Sequence, residues 1–291
     1  MSAEKSPDKP LAPGLYLVAT PIGNLEDITL RALRVLRSVD RIACEDTRQT
    51  QKLLNHFEIS VPTVSYHMHN EGSRTEELVA ELKQGARIAV VSDAGTPGIA
   101  DPGGQIAAAA ISAGISVFPI PGANAAISGL IASGLPTDRF IFHGFLPAKA
   151  GQRKTALEEL IRGDATHVFY EAPHRILDAL ADIEAVFGSH QHVVIARELT
   201  KLHEEFLRGP AGELRSELAA RASVRGEIVL MLAPSPGKAS SAKKSLAAEV
   251  TALMKSEGMS ERDALKRVSR ERGIGKSEAY RELQREQNRL R

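Results

Sequence analysis

Several residue types are scarce or missing in this chain of 291 residues. There is no tryptophan, there is one cysteine, Cys44, and aromatic residues make up 4% of the chain. One cysteine excludes an internal disulfide and a cysteine-based metal cluster, as is typical of a reducing compartment. We interpret Cys44 as a small core residue rather than a nucleophile. Residues 1–14 lack the apolar core of a signal peptide, so we expect a cytoplasmic protein.

Charged residues are absent from a long segment, residues 102–137. Two prolines, Pro119 and Pro121, break this segment in the middle, and polar residues such as Gln105 and Asn124 interrupt it. A transmembrane helix needs about 20 consecutive apolar residues, and no run here is that long. We therefore expect no membrane span, and we predict a buried helix, a strand and a second helix.

Basic charge is concentrated at the C-terminal end, although the formal net charge of the whole chain is +1. Residues 238–291 contain 14 Lys and Arg against 8 Asp and Glu, a net of +6, which leaves −5 for the remainder. A solvated helical end would explain this pattern. A compact basic segment on an acidic body is, however, more typical of binding to a polyanion, so we predict contact with nucleic acid.

Apolar runs rich in β-branched residues alternate with amphipathic runs, which predicts two α/β domains. The predicted strands are 15–20, 41–46, 87–93, 115–120, 140–145, 167–172, 193–200 and 227–233. Helices are predicted at 28–39, 76–83, 156–161, 176–186 and 214–220. Three more, at 246–256, 261–272 and 278–289, would form a small C-terminal helical domain, with Ser260 and Ser277 as caps.

The composition also predicts where the domains begin and end. A flexible tail, 1–13, precedes an N-terminal α/β domain over 14–136 and a C-terminal α/β domain over 137–234. A linker rich in serine, glycine, proline and lysine, 235–244, leads to a basic helical RNA-binding module over 245–291.

The most informative segment runs from Ser92 to Gly103 and follows a predicted strand directly. It contains three glycines and two prolines in twelve residues. A plain connection would be shorter, so we predict a stiff ligand-binding loop at the carboxyl end of a strand, where α/β folds bind ligands. No GxGxxG motif occurs in the sequence. Gly273 to Ser277 imitates the end of a phosphate-binding loop, but Arg270 occupies the position of its first glycine, so we exclude nucleotide triphosphates.

Several motifs together resemble a known family. The glycine-rich segment and Pro121 to Ala125 resemble the S-adenosylmethionine site of the tetrapyrrole-methylase-like superfamily, whose two α/β domains bind the cofactor in the cleft between them. Four further motifs resemble its bacterial 16S rRNA (cytidine-2'-O)-methyltransferase branch: ATPIGNL from Ala19, CEDTR from Cys44, YEAPHR from Tyr170 and ARELTK from Ala196. The resemblance extends from about Gly14 to Pro234.

This resemblance implies a function and its partners. The expected reaction is S-adenosylmethionine-dependent methylation of a cytidine 2'-hydroxyl in 16S rRNA, near the ribosomal decoding centre. The substrate would be the small-subunit rRNA or the assembled small ribosomal subunit, and a homodimer is expected because members of the superfamily are commonly dimers.

The resemblance also implies a cofactor site assembled from several loops. The first domain would contribute Ile22, Gly95, Thr96, Ile99, Asn124 and Ala125, and the second Glu171, Ala196 and Glu227. Thr96 departs from the superfamily pattern, in which small-molecule enzymes usually have an aspartate. Backbone contacts at this position would carry over, whereas the aspartate contact would not.

The chemistry of methyl transfer needs few groups. Holding oxygen, methyl carbon and sulfur collinear supplies most of the acceleration, but a ribose hydroxyl is a poor nucleophile until it loses its proton. We name Asp46 and Glu171, both at predicted strand ends, as candidate catalytic carboxylates. The candidate cations for binding RNA are Arg48, Arg175, Arg197 and Lys201. Structural ion pairs with Glu45, Glu171 or Glu198 would also explain the arginines.

A metal site is not predicted. His67 and His69 are expected on one face of a short strand, which is a spacing that suits a metal. Since no cysteine or clear third ligand accompanies them, a polar strand surface explains them better.

Two alternative functions remain open. C-methylation of a tetrapyrrole precursor would explain the body of the chain but not its basic end. A catalytically silent RNA-binding module with a retained ligand pocket would bind RNA without transferring a methyl group.

Overall fold

The computed structural model describes residues 10–161, 163–235, 246–271, 275, 279–281 and 283. The chain divides after Ser235 into two compact units. None of the helices in these described ranges is long and apolar enough to cross a membrane.

The first unit begins with a five-stranded parallel sheet of strand order β3-β2-β4-β1-β5. Its strands are β1 (Gly14–Val18), β2 (Arg41–Cys44), β3 (Thr63–Ser65), β4 (Arg87–Val91) and β5 (Val117–Ile120). The connecting helices are α1 (Leu30–Ser38), α2 (Thr47–His56), α3 (Glu71–Lys83) and α4 (Gly104–Ser112). Alternate residues of β1 face opposite layers, since Tyr16 and Val18 pack with α1 and α2 while Leu15 packs with α3 and α4.

The second sheet has strand order β6-β7-β10-β8-β9, with β6 parallel to β7 and the other pairs antiparallel. Its strands are β6 (Phe140–Phe145), β7 (Thr166–Glu171), β8 (His192–Arg197), β9 (Glu205–Pro210) and β10 (Ile228–Leu232). On one face lie α6 (Ala150–Glu158), α7 (Ile176–Phe187) and α8 (Ala211–Ala219). The other face is covered by α5 (Ala125–Ser133), which packs through Ala126 and Leu130.

The second unit contains α9 (Leu246–Glu257) and α10 (Glu261–Glu271). Its apolar core consists of Leu246, Val250, Ala264, Val268, Ala279 and Leu283. Ser260 caps α10 as predicted, because its Oγ accepts a hydrogen bond of 3.2 Å from the Asp263 N–H. The predicted cap Ser277 and most of the predicted helix 278–289 lie outside the described residues.

The predicted fold class is confirmed: the first unit is α/β with two sheets, and a small helical unit follows. The predicted domain boundary at 136/137 falls between α5 and β6 and stays a prediction, since α5 packs on the sheet that follows it in the chain. Among the strands and α-helices of the described residues, the sequence prediction missed α2, β3 and β9.

One local prediction is wrong. His67 and His69 do not lie on a strand, because β3 ends at Ser65. The Oδ1 of Asn70 accepts a hydrogen bond of 2.8 Å from the His67 N–H, and the resulting turn leads into α3. The two imidazoles lie with their ring centroids 5.9 Å apart in this turn.

Candidate cofactor and acceptor site

The topology of the first sheet creates a crevice at the carboxyl ends of β1 and β4. These strands are neighbours, but β1 continues through α1 to β2 on one side, and β4 continues through α4 to β5 on the other. Loops that leave neighbouring strands in opposite directions open a space between them, and open α/β sheets bind ligands there.

The predicted glycine-rich loop lies in this crevice. It is anchored to the loop after β1 by two backbone hydrogen bonds between Thr20 and Gly95, of 2.8 and 3.1 Å. Gly95 has φ +82°, and a Cβ at this position would lie 3.2 Å from the Cγ2 of Ile22. Since this backbone region favours glycine and the neighbouring space is filled, Gly95 keeps the loop close to the β1 loop.

A cavity of about 310 Å³, here called the inner cavity, adjoins the loop. Seven of the nine cofactor residues expected from the sequence line it: Ile22, Gly95, Thr96, Ile99, Ala125, Glu171 and Glu227. The wall is mostly apolar and is completed by residues such as Phe145, Tyr170 and Leu199 from the side of the second sheet. The fold therefore brings loops that are far apart in the sequence to one cavity.

The two remaining expected cofactor residues have other positions. Asn124 caps α5, since its Oδ1 accepts from the Ile127 N–H at 3.1 Å, and its Nδ2 donates to the Thr96 Oγ1 at 3.3 Å. The Thr96 hydroxyl in turn donates to the Ala123 carbonyl at 3.1 Å. Asn124 thus does not line the cavity itself but holds Thr96, which does. Ala196 is fully buried in β8, among the residues that pack against α5.

A second cavity of about 510 Å³, here called the outer cavity, adjoins the inner one. Ile22, Ala94 and Glu227 line both. The other walls come from the β1 loop, the first turns of α2 and the start of the glycine-rich loop, and they include Gln49, Lys52 and Asp93. Two adjoining cavities of this kind suit a donor and an acceptor molecule that must meet.

The two carboxylates proposed from the sequence lie in different surroundings. Asp46 caps α2 and binds Arg48 through both carboxylate oxygens, and these hydrogen bonds lower its pKa to about 2. The Glu171 side chain is 0% exposed and pairs with Arg175 at 3.2 Å. Burial raises the pKa of Glu171. Of the two, Glu171 borders the inner cavity, whereas Asp46 lines neither cavity.

A third carboxylate, Asp101, was not singled out from the sequence. It lines the inner cavity at the end of the glycine-rich loop. Burial and the nearby charge of Glu45 raise its pKa to about 6. Asp101 belongs to the glycine-rich segment from Ser92 to Gly103. Its raised pKa could not be expected from that segment, because it depends on Glu45, which directly follows β2. A carboxylate with a pKa near neutrality is well suited to accept a proton.

The four predicted RNA-binding cations all have carboxylate partners. Arg48 binds Asp46 but keeps its side chain 87% exposed, and Arg175 binds Glu171. Arg197 binds Glu205 at 3.0 Å, and Lys201 binds both Glu198 and Glu227 at 3.0 Å. None of the four lines either cavity, although Lys201 holds Glu227, which lines both.

Comparison with known proteins places this arrangement in a family. Residues 14–215 match the sequence profile of the tetrapyrrole (corrin/porphyrin) methylases. The chain is 48% identical over 274 residues to a "Ribosomal RNA small subunit methyltransferase I" of Halalkalibacterium halodurans, covering 91% of this chain and 93% of that protein. It is 51% identical over 219 residues to the protein of the same name from Escherichia coli O157:H7, covering 75% and 77%.

Solved structures share the fold at lower identity. A uroporphyrin-III-C-methyltransferase from Thermus thermophilus matches with a TM-score of 0.54 and 21% identity, covering 77% of this chain and 95% of that one. A diphthine synthase matches with a TM-score of 0.58 and 16% identity, covering 75% and 89%. The profile match and the identity to the bacterial relatives show that the chain belongs to the tetrapyrrole methylase family and, within it, to the group of ribosomal RNA small subunit methyltransferases I.

Proposed function

We propose that this protein transfers a methyl group from S-adenosylmethionine to the 2'-hydroxyl of a cytidine in 16S rRNA near the decoding centre. The observation that carries the proposal is the inner cavity, which is built around the glycine-rich loop in the crevice at the carboxyl ends of β1 and β4. The outer cavity adjoins it. The names of the bacterial relatives support small-subunit rRNA as the substrate.

The residues of the inner cavity fit the proposed cofactor. S-adenosylmethionine supplies a methyl group on a positively charged sulfur. The apolar walls, with Tyr170 and Val229 among them, suit the flat adenine ring, and the close approach at Gly95 gives access to backbone groups. Asp101 places a carboxylate at the cavity, which favours a cationic ligand, whereas the charge of Glu227 is balanced by Lys201.

The protein's own contribution would be positioning and proton transfer. The anchored loop and Ile22 would hold the donor side, while the outer cavity holds the acceptor nucleotide. Asp46, Glu171 and Asp101 are the candidate proton acceptors. We favour Asp101, because it lines the inner cavity and its pKa is raised to about 6, whereas the Glu171 side chain is fully buried and Asp46 is held by Arg48.

The partners follow from the same proposal. Basic residues of α10 such as Lys266 and Arg270 are exposed and would add affinity for RNA phosphates. A homodimer is proposed because large apolar side chains are exposed beside the second sheet, on its outermost strand at Phe140 and Ile141 and on α5 at Ile131. An enzyme that modifies ribosomal RNA would work in the cytoplasm.

Labelled cofactor separates this function from its alternatives. The protein is incubated with methyl-labelled S-adenosylmethionine and either small ribosomal subunits from cells that lack the modification or a tetrapyrrole precursor. We expect label in the 16S rRNA alone. Label in the precursor alone would support C-methylation of a tetrapyrrole. RNA binding without label would support a silent binding module.

A further inference from the structure

The outer cavity has the chemistry of a base-recognition pocket. At about 510 Å³ it lies within the range of ligand pockets, roughly 300–1,000 Å³. Its apolar wall is aliphatic and includes Pro21, Leu25 and Leu53, against which a flat ring can pack. Leu25 is 39% exposed, although leucine normally buries its side chain.

The polar wall offers a hydrogen-bond acceptor at Asp93. The Oδ1 of Asp93 accepts a hydrogen bond of 3.1 Å from the Asp46 N–H, which fixes the direction of the carboxylate. Its Oδ2 remains for a ligand in the cavity. Carboxylates recognise the exocyclic amino group of cytosine, which is a donor, and repel the O4 of uracil, which is an acceptor.

A hydrogen-bond donor is provided by Gln49 in the first turns of α2. The Lys52 Nζ donates to the Oε1 of Gln49 at 2.9 Å. This bond orients the amide oxygen of Gln49 towards Lys52, and the amide nitrogen keeps its two N–H groups for a ligand. A fixed N–H donor matches N3 or O2 of cytosine, both of which are acceptors.

The charged side chains of the cavity nearly balance, which suits a neutral base. Asp93, Glu227 and Lys52 all line it, and the charge of Glu227 is compensated by Lys201. The Lys52 Nζ donates to the uncharged amide of Gln49, so the charge of Lys52 balances that of Asp93. A cytosine amino group finds an acceptor at Asp93.

We infer that the outer cavity reads the target nucleotide as cytosine, with Asp93 accepting from the exocyclic amino group and Gln49, held by Lys52, donating to the ring. This inference rests on the proposed function, since it assigns the acceptor side of that reaction. The adjoining inner cavity then lies beside the sugar of the bound nucleotide.

The test compares two acceptors with the full-length protein. Small subunits that lack the modification are prepared with either cytidine or uridine at the target position, and initial methylation rates are measured with labelled S-adenosylmethionine. The wild type is expected to prefer cytidine at least tenfold. In Asp93→Asn the amide oxygen keeps the bond from Asp46, so the amide nitrogen faces the cavity and can donate to O4 of uracil. We expect the cytidine-to-uridine ratio to fall at least tenfold.

Two control variants show whether the effects are specific to the outer cavity. Asp138→Asn changes an exposed aspartate outside both cavities and should leave the ratio unchanged. Gln49→Ala should slow methylation of cytidine at least fivefold, whereas Gln51→Ala, on the same helix but bonded to Asn55, should not. Calorimetry with S-adenosylmethionine should give equal affinity for all four variants.

The outcomes separate this inference from the proposed function. A wild type that methylates cytidine, together with an unchanged ratio in Asp93→Asn, would overturn the recognition pocket alone. Failure of the wild type to methylate either subunit would overturn the proposed function and this inference with it.

Discussion

At the scale of single residues, the candidate site combines one continuous motif with side chains that other elements bring to it. Gly95, Thr96 and Ile99 lie in a continuous motif, and they line the inner cavity together. Asp101 lies in the same motif, but its importance depends on the charge of Glu45, which another strand brings near. Asp93 lies in the glycine-rich loop and Gln49 on α2, so no single segment of sequence shows these two residues of the outer cavity together.

Asp101→Asn should abolish most of the activity even at saturating S-adenosylmethionine, where a loss of cofactor affinity from the missing charge has no effect on the rate. We expect the methylation rate to fall at least about 100-fold, the usual contribution of a positioned general base. In the wild type the rate should fall as the pH drops through about 6, because the acceptor must be ionised. Rates from pH 5 to 8, with calorimetry for cofactor affinity, check this. A rate in the variant within threefold of wild type would exclude Asp101.

The same substitution should stabilise the fold. Because the pKa of Asp101 is raised to about 6 by burial and by Glu45, the folded state binds its proton more tightly than the unfolded chain. Its contribution to stability is therefore complete below about pH 4 and is lost as the pH rises through 6. At pH 7.5 we expect Asp101→Asn to raise the Tm by roughly 2–4 °C, after allowance for solvent screening. Asp138→Asn is the control, and a lower Tm would contradict this account.

At the scale of elements, the hydrophobic pattern of the sequence did not predict helices and strands that are short or rich in polar residues. The helix α2 contains Thr47 to His56, where only Leu53 and Leu54 are strongly apolar, and it lies on the sheet mainly through Leu54. β9 has charged residues within it and pairs with β8 alone at the sheet edge. β3 is three residues long and is also an edge strand. Tertiary pairing therefore determines these elements more than local pattern does.

The glycine-rich loop gives a prediction at this scale. Gly95→Ala would force φ +82° on a residue with a Cβ and press that atom against Ile22. We expect the affinity for S-adenosylmethionine to fall at least about tenfold, because the wall of the inner cavity shifts. Gly85→Ala is the matched control, since Gly85 has φ +91° but nothing within 4 Å of an added Cβ. Equal losses of affinity in both variants would mean that backbone strain at a positive φ, and not contact with Ile22, causes the loss.

At the scale of the whole molecule, the position of a helix in the chain does not determine the sheet on which it packs. α5 belongs to the segment before the predicted domain boundary, yet Ala126 and Leu130 pack on the second sheet. The apolar residues of α5 predict a buried helix, but they do not say which sheet buries it. The basic C-terminal unit was predictable because charge is a property of the sequence itself.

This basic unit should contribute to RNA affinity through charge. Lys266 and Arg270 are exposed and four residues apart on α10, so they share one face. The double variant Lys266→Gln with Arg270→Gln should weaken binding to small-subunit RNA by roughly tenfold and reduce its salt dependence by about two ions. Filter binding at several salt concentrations measures both. The same change at Lys83 and Lys149, two exposed lysines of the first unit, should have a smaller effect, and equal effects would remove the special role of α10.

The proposed dimer can be tested on exposed apolar residues. Ile131 on α5 is 73% exposed, and Ile111 on α4 is 65% exposed. If a second copy of the chain covers α5, Ile131→Glu should raise the dimer dissociation constant at least about tenfold, because a carboxylate would be buried. Ile111→Glu should leave it unchanged. Sedimentation equilibrium measures both constants, and a wild type that stays monomeric at micromolar concentration would contradict the dimer.

The central claim concerns where the methyl group is placed, and alkaline hydrolysis of labelled rRNA tests it most directly. Alkali cleaves RNA through the free 2'-hydroxyl, so a methyl group on that oxygen protects the adjacent phosphodiester bond. After reaction with labelled S-adenosylmethionine, we predict that the label appears in an alkali-resistant dinucleotide whose first residue is cytidine. Label released in a mononucleotide, or in a dinucleotide that begins with another base, would contradict the account.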